Sequence, residues 1–420
     1  MRANDSLTQF TRFWNAPARL PILTVCAATL LMVAMDLRAG EKSRPRRFIY
    51  NSDGNHMYLY KVPPMSVADL ESYVDEVVGT GVTTFFASPN WGMLPAYPSR
   101  VTEMMGSQLS TERMAKIRTT GREKERTSER AITNLHALYD AGHDPFGVMI
   151  DRAREKKLEV FVSFRLNEIH DVQNPESLIV SKFWRAHPEW RVGKHGDKIS
   201  PLFAEIIGGR EDHPVHPVVA SWFPGALNFA VPEVRALRLA ELRECCERYA
   251  IDGIDLDFQR FPIYFPQAEG RKHVETMTSW MREVRSMTRE VGQKRGRSLL
   301  LSARVLAKPE QNIAIGLDPI GWAHDGLVDF LVVSHYLRND FPLPVGQFRE
   351  QLPETTPLYA SIEVESKADT YRRIARQLYD DGVDGLMMFN YFTTRERGVE
   401  PDFGLFTELS DPARLKPVSP

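Results

Sequence analysis

Cysteine is scarce in this 420-residue chain, which holds only Cys26, Cys245 and Cys246. Cys245 and Cys246 are neighbours whose side chains diverge in a helix, so neither a disulfide framework nor a CxxC metal signature is available. No charge of one sign dominates. Lys and Arg number 53 against 55 Asp and Glu, a formal net charge of −2. That balance provides no broad basic surface of the kind duplex nucleic acid requires. There is no GxGxxG after a strand, no P-loop and no GxSxG, which removes the common nucleotide-binding and serine-hydrolase signatures. No uninterrupted run reaches the about 20 apolar residues of a membrane-spanning helix. What remains is 43% hydrophobic and 26% charged residues, a globular composition that excludes a disordered or collagen-like chain. A chain of this length buries a large core without disulfides.

The N-terminal segment is distinct. Arg2, Arg12 and Arg19 precede an apolar stretch from Leu20 to Met35, which Asp36 and Arg38 close. A basic region followed by a short apolar one is the pattern of an export signal. Leu37-Arg38-Ala39 is not a small-x-small cleavage site, so residues 1–39 are expected to form a signal peptide or an uncleaved anchor. The protein is accordingly expected to be periplasmic or secreted. Any membrane contact would run through residues 20–35.

From Phe48 onward, short β-branched or aromatic runs alternate with longer amphipathic stretches. This is the signal of repeated βαβ units. The expected strands are Phe48–Asn51, Thr83–Ser88, Glu159–Arg165, Gly253–Phe258, Leu299–Val305, Val328–Tyr336, Leu358–Val364 and Gly385–Tyr391. Eight is the number that closes a parallel barrel. The expected fold class is therefore α/β, a (β/α)8 TIM barrel made by residues 40–420 as one domain. Long loops follow strand 2 (Pro89–Leu158) and strand 3 (Leu166–Ala250).

The helical stretches agree with this. Tyr371, Ile374, Ala375, Leu378 and Tyr379 form one apolar stripe, and Asp381-Gly382 stops that helix. Pro232 is placed to open a helix whose buried face carries Leu239, Leu242, Cys246 and Tyr249. Asp252-Gly253, Asp384-Gly385 and Asp325-Gly326 form a weak internal repeat at helix-to-strand junctions. Ser107–Arg130 is dense in Lys, Arg, Glu, Ser and Thr and reads as a solvated face or as a lid.

In a barrel of this kind the chemistry sits at strand C-termini. The richest such end is Asp252-Gly253-Ile254-Asp255-Leu256-Asp257-Phe258-Gln259-Arg260. Alternation turns Ile254, Leu256 and Phe258 toward the helices and Asp255 and Asp257 into the barrel. Two inward carboxyl groups are costly to bury and push one another's pKa apart. On the seventh strand, Glu363 faces inward by the same alternation.

A carboxylic acid and a second carboxylate are what glycosidic cleavage needs. Asp257 is expected to act as general acid/base and Glu363 as nucleophile or base, with Asp255 orienting Asp257. Carboxyl groups about 5–5.5 Å apart favour retention and about 6.5–9.5 Å favour inversion.

Arg165, Asn167, Glu168, Arg260, Arg304, His335, Tyr336, Asn390 and Tyr391 lie at other strand mouths. With Trp91 of the first long loop they offer the polar rim and aromatic face that suit a sugar. Trp184, Trp190 and Trp222 lie in the second long loop and serve core packing or sugar stacking. His213 and His216 are flanked by prolines and lack the companions of a zinc site. No metal or cofactor is expected.

Asp252–Phe258 resembles the DGxDxD strand of family 18 chitinases. Those enzymes carry their acid, a glutamate, two residues beyond the last Asp, where this chain has Gln259. A nearer resemblance is to secreted bacterial glycoside-hydrolase-like barrels. They share an Asp-Gly-Ile-x-Leu-Asp-Phe-x-Arg strand (Asp252–Arg260) and a Phe-Trp-x-x-His-Pro-Glu-Trp loop (Phe183–Trp190). Arg165–His170 and Asn228–Arg235 are also similar. The resemblance implies a barrel that hydrolyses glycosidic bonds in a poly- or oligosaccharide. Two rivals are a carbohydrate-binding barrel without catalysis, suggested by Gln259, and a metal-dependent hydrolase.

Overall fold

The computed structural model describes residues 44–54, 56–174, 176–208, 217–337, 343–363 and 367–417. The N-terminal apolar stretch, Glu365 and the His213–His216 segment lie outside the described residues. Eight parallel strands close into a barrel. They are β1 (Phe48–Ser52), β2 (Thr84–Ala87), β3 (Glu159–Arg165), β4 (Gly253–Asp257), β5 (Leu300–Leu306), β6 (Phe330–Ser334), β7 (Leu358–Ile362) and β8 (Gly385–Met388). Each pairs with its sequence neighbours, and β8 closes on β1. Several strands end sooner than expected. After Met388 the chain reaches Asn390 at φ 53 and then a 3-10 turn over Tyr391–Arg397, so β8 cannot run on to Tyr391.

The helices begin and stop for local reasons. Ser66 and Asp69 form a capping box at the start of Val67–Asp75. Pro232 opens Pro232–Arg248, as the sequence indicates, and Cys245 and Cys246 are both buried beneath it. Tyr371, Ile374, Ala375 and Leu378 are the buried face of Ala368–Asp380. No helix among the described residues is long and apolar enough to cross a membrane.

The junction repeat has a physical purpose. Asp252, Asp329 and Asp384 stand immediately before β4, β6 and β8. Each accepts a backbone N–H from the preceding strand: Val160 at 2.9 Å, Leu301 at 2.7 Å and Leu358 at 2.8 Å. Each is also held by an arginine, namely Arg297, Arg285 and Arg349. At the junction before β6 Asp329 takes this place, while Asp325-Gly326 ends the preceding helix, with Gly326 at φ 63 and Asp325 paired with Arg282 at 3.6 Å.

Inside the barrel the side chains change character with height. Ile49, Phe86, Phe161, Phe330, Tyr359 and Met387 form an apolar plug at the N-terminal end. Arg47 and Glu159 seal it from below, 2.7 Å apart. Two residues further along the strands come Ser163, Asp255, Ser302, Val332 and Ser361, all buried. Two further still come Arg165, Asp257, Arg304 and Glu363.

Gly253 takes the plug position of β4 because the ring of Phe161 fills its space. A Cβ there would overlap that ring and lie 2.7 Å from the Leu300 carbonyl oxygen. Gly253→Ala is therefore expected to cost about 1–3 kcal/mol in denaturant unfolding, the usual range for overpacking a core. A neutral effect would mean the plug repacks freely.

Candidate active site at the barrel mouth

Register builds the site. Across β3, β4 and β5, Ser163 stands opposite Asp255 and Asp255 opposite Ser302. One layer higher, Arg165 stands opposite Asp257 and Asp257 opposite Arg304. A row of hydroxyl, carboxyl and hydroxyl thus lies beneath a row of guanidinium, carboxyl and guanidinium.

Asp255 is fully buried and accepts hydrogen bonds from Ser163 Oγ and Ser302 Oγ, both at 2.8 Å. Burial, reinforced by the charge on Asp257, pushes its carboxyl up to about 7. Asp257 collects three donors. The backbone N–H groups of Gln259 and Arg260 reach Oδ1 at 3.0 and 3.1 Å, and Arg304 Nη1 reaches Oδ2 at 3.3 Å.

Arg304 joins the two carboxyl groups at the rim. It is fully buried, and its Nη2 lies 2.8 Å from Glu363 Oε1. The face of its guanidinium rests 3.8 Å from the centre of the Phe389 ring. Glu363 is also buried, and that burial pushes its carboxyl up to about 7 against the pull of Arg304 and Arg260. Gln259, at the position of the family 18 acid, is locked to β6. Its amide donates to the Ser334 carbonyl and accepts from Ser334 Oγ at 2.8 Å.

A second network lines the wall above. Arg165 pairs with Asp53 at 3.0 Å and with Glu168 at 3.4 Å. Glu168 accepts the His170 backbone N–H at 3.0 Å and also contacts His170 Nδ1. Arg260 Nη2 donates to His170 Nε2 at 3.2 Å. These partners assign the His170 proton to Nδ1. Burial opposes the charges on Asp53 and Glu168, yet both carboxyls are held below their usual range. Arg165 is the main cause for Asp53, and His170 with Arg165 for Glu168.

Above this network opens a cavity of about 720 Å³, inside the range of about 300–1,000 Å³ usual for ligand sites. Asp53, Trp91, Arg165, His170, Arg260 and Asn390 line it, and the helix Glu123–Asp140 adds Lys124 and Ser128.

The expected site residues separate into groups. Asp255, Asp257, Arg304 and Glu363 come together buried at the C-terminal end of the barrel and do not themselves line the cavity; Arg165 and Arg260 line it, and Glu168 is buried behind them. Trp91 and Asn390 face the cavity. His335 is buried at the end of β6. The buried Tyr336 hydroxyl has no hydrogen-bond partner among the described residues and lies in the field of Arg260, Glu168 and Glu363.

Two expectations are corrected. Asn167 is committed to loop backbone, donating to Leu227 and Ile263 carbonyls at 2.9 and 2.5 Å and accepting the Leu227 N–H at 3.0 Å. Tyr391 turns away from the mouth, donating to the Asp402 carbonyl at 2.9 Å and packing on Phe406. Once Asn390 adopts its left-handed conformation, strand alternation no longer governs where Tyr391 points.

The loop tryptophans divide as well. Trp222 stands 5.1 Å from the His170 ring. Trp184 lies buried under Arg191, and Trp190 stacks on His187. Asp53, His170, Lys124 and Ser128 are site residues that strand reasoning did not select. Asp53 was the most findable, because it directly follows β1 at the mouth.

No family model and no curated protein matches this sequence. Among solved structures, the chain is similar to the glycoside hydrolase domain of PgaB (BpsB) from Bordetella bronchiseptica. The two are 11% identical with a TM-score of 0.46, over 87% of this chain and 99% of that one. It is also similar to a glycoside hydrolase family 18 N-acetylglucosaminidase from Paenibacillus barengoltzii, at 11% identity and a TM-score of 0.42, over 86% and 100% of the two chains. A family 18 chitinase from Cycas revoluta, in complex with allosamidin, is 10% identical with a TM-score of 0.40, over 87% and 98%.

Proposed function

We propose that the protein is a glycoside hydrolase that cleaves glycosidic bonds in a poly- or oligosaccharide, with Glu363 as proton donor and Asp257 as the partner carboxylate. One observation carries this reading: a single buried guanidinium, Arg304, grips Asp257 and Glu363 together at the rim of the barrel. Two carboxyl groups so paired, one of them protonated near neutrality, are the minimum equipment for glycosidic cleavage. Glu363 gives its proton to the leaving oxygen as the C1–O bond breaks. Water adds to C1, and its proton passes to a carboxylate. The raised carboxyl of Glu363 and the three donors around Asp257 favour this assignment, which exchanges the roles expected from sequence. The basic-then-apolar pattern of residues 1–39 supports export.

The test is a screen of the purified protein against natural polysaccharides with mass detection of products. Asp257→Asn should lower turnover by about 10²–10⁴-fold while glycan binding persists, the range for losing an acid or base. Near-parental turnover would remove Asp257 from the mechanism. A second reading, a barrel that binds carbohydrate without cleaving it, is favoured by the burial of Asp257, which is 1% exposed. It requires glycan binding with no product from any polysaccharide tried.

A further inference from the structure

We propose that a second groove beside the mouth binds the flanking sugars of an extended, neutral glycan, so that the site acts within a chain rather than at its end. The inference rests on the carbohydrate reading above. The groove measures about 600 Å³ and lies between the helix Thr111–Thr120, the first turn of Glu123–Asp140 and Asp171, Asn174, Glu176, Ser177 and Leu178 beyond β3. Lys124 and Ser128 line both this groove and the mouth cavity, so the two hollows meet at that wall.

Three features suit it to a sugar chain. Its lining mixes polar and apolar surface, with Thr120, Ser128 and Asn174 offering hydroxyl and amide groups and Ile117 and Leu178 offering carbon. It lacks the continuous apolar floor that an amphipathic helix would need. Its charges balance in number, four of each sign. Lys124 pairs with Asp171, Arg122 with Glu125 at 3.1 Å, and Arg113 with Glu176 at 3.7 Å. A polyanion would find no surplus of cations.

One wall of the groove is exposed, although Arg118 ties it to the buried Glu129 and Met114 and Ile117 rest on the core. The helix Thr111–Thr120 has no buried residue. The two ion pairs that cross the groove, Lys124 to Asp171 and Arg113 to Glu176, include side chains that are 67% and 82% exposed. Ion pairs so exposed contribute little and part readily.

The test uses the full chain and three series graded from disaccharide to octasaccharide: chito-, cello- and malto-oligosaccharides, with oligogalacturonides as the charged control. For wild type, kcat/KM and affinity on one neutral series should rise roughly tenfold with length once the chain outgrows the mouth. Thr120→Glu and Lys116→Glu each place a bulky charged side chain, with no ring for a sugar to stack on, on an exposed wall of the groove. Both should abolish that gain while leaving the shortest substrate that is cleaved unaffected. If wild type cleaves short substrates with no gain in length, or both variants keep the gain, the groove proposal is overturned and the hydrolase reading stands. A larger gain on the charged series than on any neutral one would overturn it in the same way. If no oligosaccharide is bound or cleaved, both fall.

Discussion

Glu363→Gln is expected to lower kcat by about 10³-fold with little change in KM, because the amide keeps the shape of the side chain and removes its proton. Glu363 titrates near 7. Turnover by the parent protein should therefore fall as pH rises through about 7, where the proton is lost, and the variant's residual activity should lack that limb. Leaving-group chemistry offers a sharper check. A dinitrophenyl glycoside departs without protonation, so the variant should nearly match the parent on it and fail on a natural linkage. Equal losses on both substrates would assign Glu363 to attack on C1, the role its sequence position first suggested. Stability carries the same sign. A carboxyl whose pKa is raised by folding favours the native state below its unfolded value near 4.5, and that contribution is lost as pH rises toward 7. The glutamine of the variant does not titrate, so thermal unfolding should shift in favour of the variant, relative to the parent, as pH passes from 5 to 8.

The fold was legible because its signals are local. Period-two alternation and apolar stripes recur along the chain, Asp-Gly marks three helix-to-strand junctions, and the eight expected strands all form. The buried charged layer was legible for the same reason, since Asp255, Asp257, Arg304 and Glu363 sit on regular strands or one residue beyond. A simpler signal runs through three strands: Phe161-x-Ser163-x-Arg165, Leu300-x-Ser302-x-Arg304 and Tyr359-x-Ser361-x-Glu363. Each reads upward as plug, hydroxyl and charge. Legibility ends where the backbone leaves the strand. Asn167 and Tyr391 carry sugar-binding groups, yet loop backbone consumes one and the other points toward the helices. Lys124 and Ser128 reach the mouth only because the helix Glu123–Asp140 folds back over it. The charge-rich stretch around them read mainly as a solvated face, because composition reports that a segment is polar but not which surface it faces.

Arg304→Met is expected to cost about 3–5 kcal/mol of stability, the penalty for leaving buried charge without its partner. Arg304 is fully buried, and the carboxyls it holds are 1% and 4% exposed, so water cannot take its place. Methionine fills much the same volume, which makes the loss electrostatic rather than a cavity effect. The loss should shrink in acid, where Glu363 takes up its proton and needs no counter-charge. A compensated variant separates charge from packing. Adding Asp257→Asn and Glu363→Gln to Arg304→Met removes all three charges together, and more than half of the lost stability should return in urea unfolding. The three sites share hydrogen bonds, so their effects should be strongly non-additive. If Arg304→Met alone is neutral, or the triple variant is weaker than the single one, then Arg304 serves chiefly as packing. Asp257 would then be held by the backbone N–H groups of Gln259 and Arg260, and the central contact of the proposed mechanism would lose its physical basis.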